Sequence, residues 1–167
     1  RCYGMSESRL KDLYASAAYE DALRVLGRLQ GDTPRPEIEQ YRVSCLIALG
    51  RTGEADRIIQ TVITANPTFV PDQTETSPRI QELFARARRQ LLPDIARQTY
   101  VDAKAALDRK DRSTALSGFE RVVQLIDSTD EPSSGTLGEL RILAAGFLDL
   151  SRALPAPTAT TPATSAA

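Results

Sequence analysis

Five arginines, Arg79, Arg86, Arg88, Arg89 and Arg97, share the stretch 79–97 with only two acids, Glu82 and Asp94, a local charge of +3. Guanidinium groups fork onto carboxylates and phosphates, so this helix could hold an acidic peptide, a phosphate or RNA. Single-stranded nucleic acid also asks for aromatic platforms between the charges. Only Phe84 interleaves, and it falls on an apolar stripe. The plainer reading is a solvated face whose arginines pair with acids such as Asp127, Asp130 and Glu131. Acid pairs such as Asp102 with Asp108 and Glu37 with Glu39 read as solvated helix faces rather than as proton-transfer groups. Gly27 and Gly31 follow no strand and so form no nucleotide fingerprint.

The chain has no histidine, which removes the commonest general base and metal ligand, and its two cysteines, Cys2 and Cys45, are too few for a usual zinc site. A bridge between them would bring the start of the chain against the middle of a helix. Cys45 sits among Tyr41, Leu46 and Leu49 and reads as a small buried apolar residue. Nucleophile elbows, phosphate loops and CxxC pairs are absent. The expectation is a non-catalytic chain with no cofactor and no metal.

The elements behind these residues are helical. Aromatics make up 5 % of the 167 residues, charged residues 26 %, and the net charge is -1, so nothing calls for nucleic acid or anionic lipid as a general partner. No apolar run reaches a membrane span of about 18 residues. No signal-like segment follows Arg1, so the start reads as a cut through a longer protein.

The clearest element is 41–67. Its first helix stops at Gly50-Arg51-Thr52-Gly53, where glycine enters the left-handed region without penalty. A second helix starts at Glu54, carries Ile58, Ile59, Val62 and Ile63 on one face, and ends at Asn66-Pro67. The small residue Ala55 marks where the two helices cross.

The same pattern recurs. Ala22 precedes Ala55 by 33 residues, and Pro34 precedes Pro67 by 33. Ala22, Ala55 and Ala115 are each followed four positions on by a large apolar residue, Leu26, Ile59 and Phe119. Twelve positions on stand Pro34, Pro67 and Asp127. This resembles the tetratricopeptide repeat, whose period is about 34 residues. Ala103 matches the small residue of the family's first helix in the third unit, where Leu10 and Val43 stand in the first two. The resemblance implies an all-α fold of antiparallel helix hairpins in a right-handed superhelix. Its units are about 6–36, 37–67 and 94–127, within one domain, 1–154.

The first unit starts at Ser6 as N-cap, with Leu10, Leu13 and Tyr14 inward and Ala17-Ala18-Tyr19 at its turn. Between the second and third units, 68–76 is a non-periodic loop. Ser77-Pro78 then opens an inserted helix, 78–92, which Pro93 ends or kinks. The third unit restarts at Asp94, with a second helix from Ser113 to about Ile126. After a polar loop, 127–136, a capping helix, 137–153, covers the last apolar face. Residues 155–167 carry no large apolar side chain and form a Pro/Thr/Ala linker or tail.

In the family, the first helices of the hairpins line a groove that holds a segment of a partner protein. By position, that groove would take Glu7, Lys11 and Tyr14 from the first unit, Gln40, Ser44 and Ile47 from the second, and Arg97, Tyr100 and Lys104 from the third. The functional expectation is a scaffold for a protein or peptide partner. The alternative is a nucleic-acid or anion-binding module using 79–97. Repeats followed by such a linker also look like bacterial envelope proteins, which favours the periplasm or envelope over the cytoplasm.

Overall fold

A computed structural model describes residues 2–29, 35–129 and 135–153. Among them are seven helices and no strand: α1 Cys2–Ala15, α2 Tyr19–Leu29, α3 Pro36–Ala48, α4 Thr52–Ala65, α5 Pro78–Asp108, α6 Arg112–Asp127 and α7 Gly135–Ala153. The fold is all-α. The chain divides into two compact units, Arg1–Ile95 and Ala96–Ala167.

Three of the connections are closed in the same way. Ala17, Gly50 and Lys110 have φ of 58°, 75° and 62°. The next residue's N–H in each case donates to the carbonyl five positions back: Ala18 to Leu13 at 2.9 Å, Arg51 to Leu46 at 2.8 Å and Asp111 to Ala106 at 2.9 Å. Such a cap satisfies the orphan carbonyls of the helix that ends there. It turns the chain back within three residues. Ala22, Ala55 and Ala115 each follow their turn by five residues, and all are 0 % exposed.

In the first unit, α1 packs on α2, α2 on α3 and α3 on α4. Leu10, Ala22, Leu26, Ile38, Tyr41 and Cys45 form one core, and Tyr14 meets Tyr19 and Tyr41 edge-on at 6.0 and 5.6 Å. Val43, Leu46, Ala55, Ile59, Val62, Ile80 and Phe84 form a second, with Phe69 edge-on to Phe84 at 5.8 Å. α3 supplies both cores, so its polar side chains are drawn in as well: Glu39, Gln40 and Ser44 are all buried. Each needs an internal partner. Arg42 Nε donates to Glu39 at 2.8 Å, and its Nη2 donates to the Leu26 carbonyl at 3.1 Å, one of the last open carbonyls of α2. Ser44 donates to the Gln40 carbonyl at 2.8 Å.

In the second unit, Ala96, Ala103 and Ala106 of α5 keep their side chains small against Phe119 and Val122 of α6 and Ala144 and Leu148 of α7. Phe119 and Phe147 stack at 5.1 Å, and Tyr100 stands edge-on to both. Asp111 caps α6 by accepting from the Thr114 N–H at 3.2 Å. Arg141 forks onto Asp127 at 2.6 and 3.2 Å, Arg152 pairs with Glu120 at 2.9 Å, and Arg112 donates to the Ser151 carbonyl.

Several boundaries differ from the sequence reading. Pro93 does not end a helix, because α5 runs through it from Pro78 to Asp108, while the second compact unit begins at Ala96, two residues after the expected restart at Asp94. Proline removes one hydrogen bond and crowds the preceding turn, at about 3 kcal/mol, but the apolar stripe continues on both sides. Leu92 is 1 % exposed and Ala96 0 %. α1 begins at Cys2, not at Ser6, since nothing in 2–5 forbids helix. α4 starts at Thr52, two residues before Glu54, and α7 at Gly135, two before Leu137. Ser77-Pro78 opens α5, Asn66 closes α4 and 68–76 is a loop, all as the residues indicate. Pro34, residues 130–134 of the polar loop and the tail 155–167 lie outside the described residues.

Candidate functional site

The first unit carries a cleft of about 590 Å³. One wall is α1, with Glu7, Leu10 and Lys11; another is the start of α3, with Glu37, Ile38, Gln40 and Tyr41, preceded by Arg35. The third is the loop after α4, with Asn66, Thr68, Phe69, Val70, Asp72 and Glu75.

This loop is built into the unit. Pro67 and Pro71 are buried, and Phe69 rests on Phe84. A buried amide such as Gln40, 4 % exposed, is costly without a partner. Its Oε1 accepts the Asp72 N–H at 3.0 Å. The Asp72 carboxylate in turn accepts from the Thr74 hydroxyl and N–H at 2.6 and 2.7 Å, which hold its pKa below the ordinary range. Lys11 reaches across from α1 to Glu75 at 2.8 Å, and that carboxylate raises the ammonium's pKa. Arg35 pairs with Glu7 at 2.6 Å. Both perturbed groups are pushed away from neutrality. Lys11 and Asp72 therefore stay charged at pH 7.

Of the expected groove residues, Glu7, Lys11 and Gln40 meet here. Tyr14 is committed to the ring cluster with Tyr19 and Tyr41, and Ser44 is 5 % exposed with its hydroxyl spent on the Gln40 carbonyl. Ile47 packs on the second core. Arg97, Tyr100 and Lys104 belong to the other unit, where Arg97 and Lys104 are exposed and Tyr100 stands edge-on to the stacked Phe119 and Phe147. Arg35, Glu37, Tyr41 and the loop wall were not expected here. A sequence offers no period for a non-repetitive loop, so its role as a wall leaves no signal beyond the buried prolines.

Of the arginines of 79–97, Arg89 does not take the expected partner Asp127. Arg89 bonds Glu82 on its own helix at 2.6 Å, while Asp127 is taken by Arg141; Asp130 and Glu131 lie outside the described residues. Arg79 and Arg86 are exposed, and Arg88 is half-buried. Cys45 is a free, fully buried thiol. Among the described residues, no helix is long and apolar enough to cross a membrane.

No protein-family model matches the chain, and no curated protein or solved structure matches it.

Proposed function

We propose that this chain is a non-catalytic protein-interaction module of the tetratricopeptide kind, in which α1/α2, α3/α4 and α5/α6 are the hairpin units and α7 caps the last of them. The family's right-handed stacking of hairpins belongs to the same proposal. One observation carries the functional part: the 590 Å³ cleft is bordered by α1 and α3, the first helices of two successive hairpins, and by three residues the family pattern assigns to its groove. The three like-closed turns and the alanines five residues after them support the register. The ionic and amide groups of the cleft suit the backbone and side chains of an extended segment.

The test is selection of binders from a displayed peptide library against the full chain, with nuclear magnetic resonance mapping of the selected peptides. Shifts centred on Glu7, Lys11, Glu37 and Val70 are the expected result. Binders that map only elsewhere would remove the cleft from the proposal. Single-stranded RNA binding at physiological salt that Arg88→Ala with Arg89→Ala abolishes would replace it, because phosphate contacts through several arginines are steeply salt-dependent.

A further inference from the structure

The charges of the cleft specify its occupant further, on the proposal just made that it holds a partner segment. Four carboxylates border it, Glu7, Glu37, Asp72 and Glu75, against two cations, Lys11 and Arg35. Both cations are already used within the chain, Arg35 on Glu7 at 2.6 Å and Lys11 on Glu75 at 2.8 Å. Glu37, in the first turn of α3, is in no ion pair among the described residues, and Asp72, on the loop, feels only Lys11, which is already bonded to Glu75. An acidic peptide or a phosphate would enter against a net charge of two negatives and find no guanidinium or ammonium free to receive it.

The chain itself shows how this surface holds a cation. The Lys11 ammonium lies 2.8 Å from Glu75 and 6.0 Å over the ring of Tyr41, an ion pair and a cation–π contact together. Tyr41 is 4 % exposed, so the ring beneath that ammonium is a fixed part of the cleft wall. Val70 stands 55 % exposed on the loop beside these groups, a large apolar side chain with little of the protein over it.

We propose that the cleft takes a basic segment of a partner protein, an extended stretch in which a lysine or arginine meets Glu37 and Asp72 and a neighbouring apolar residue covers Val70. Complementary charge at such a rim acts mainly on the encounter and on the choice of partner, and it is screened by salt.

The experiment titrates the full chain with two unstructured peptides of equal length, one of Lys, Leu, Gly and Ser and the other with Glu in place of Lys, plus a Gln version as the neutral case. Amide shifts and Kd are read at low and at physiological ionic strength. The expected result is that the Lys peptide alone shifts Glu37, Val70 and Asp72, that its Kd rises with salt, and that Glu37→Gln weakens it by roughly threefold to tenfold. Because Asp72 also organises its own turn, Glu37→Gln is the primary variant and Asp72→Asn the second. Asp149→Asn, an exposed acid of the other unit, should leave the Kd unchanged. If the Glu or Gln peptide binds at the cleft as tightly as the Lys peptide, the basic partner is wrong and the groove stands. If no peptide moves the cleft resonances, both readings fall.

Discussion

Gly118 on α6 crosses Ala103 on α5 with no room for a side chain: a methyl group at Gly118 would stand 2.6 Å from the Ala103 Cβ and 3.2 Å from its Cα. Glycine weakens a helix interior by up to about 1 kcal/mol relative to alanine, so its presence in the middle of α6 reflects this contact. Gly118→Ala should therefore destabilise despite its better helix propensity, by about 1 to 3 kcal/mol. Ala103→Gly in the same chain should restore part of the loss. Denaturant titration of the four species forms a double-mutant cycle; independent effects would mean that the crossing is not the cause.

Ala55 is 0 % exposed where α3 and α4 cross, as Ala22 and Ala115 are in their own hairpins. Ala55→Leu should cost about 1 to 3 kcal/mol through overpacking. The exposed Ala65, on the same helix, should accept leucine within about 0.5 kcal/mol. Equal denaturation midpoints for the two would show that the crossing tolerates bulk.

Two of the three like-closed turns carry the wrong residue for their backbone. Ala17 and Lys110 hold φ of 58° and 62°, where a side chain crowds the following carbonyl. Ala17→Gly and Lys110→Gly should each stabilise by up to about 1 kcal/mol, and Gly50→Ala should cost about as much. Thermal unfolding of the three variants reads the signs directly.

Asp111 ties its pH response to the start of α6. Hydrogen bonds from Thr114 and Ser113 hold its carboxyl below the ordinary value of 3.8. A carboxyl depressed in the folded state adds stability that is present above the unfolded value and lost as pH falls through the folded one. Asp72 and Asp127 are lowered too, so the chain should lose stability as the pH drops below about 4. Asp111→Asn keeps a competent cap and should flatten part of that acid limb, whereas Asp111→Ala should lower the midpoint at neutral pH as well. An unchanged acid limb in Asp111→Asn would remove Asp111 from the account.

The hairpins are legible because their signals are local: Gly50 sets a turn, Pro67 and Ser77-Pro78 mark ends, and alanine recurs where helices must approach. Gly118 is not, since an isolated glycine in a helical pattern looks like a tolerated defect until the residue opposite is known. The site is half legible. Glu7, Lys11 and Gln40 come from a family pattern that places first helices along a groove, but on α3 that pattern makes Ser44 a groove residue too, and Glu39 reads as part of a solvated face. Packed between α2 and α4, that helix instead takes Gln40 and Ser44 inward and binds their polar atoms internally. Pro93 misleads for a similar reason. A local rule forbids what continuous burial at Leu92 and Ala96 sustains.

Cys45 gives the chain a clock. Burial pushes its thiol up to about 11, against the opposing charge of Arg42, and the side chain is 0 % exposed. A thiol reagent must wait for the core around α1 to α3 to open before it can react. With Cys2→Ser, the trapping rate of the one remaining thiol times the breathing of residues 1–95. Residues 96–167 contain no cysteine and stay silent, so a single thiol introduced there would time the second half on its own.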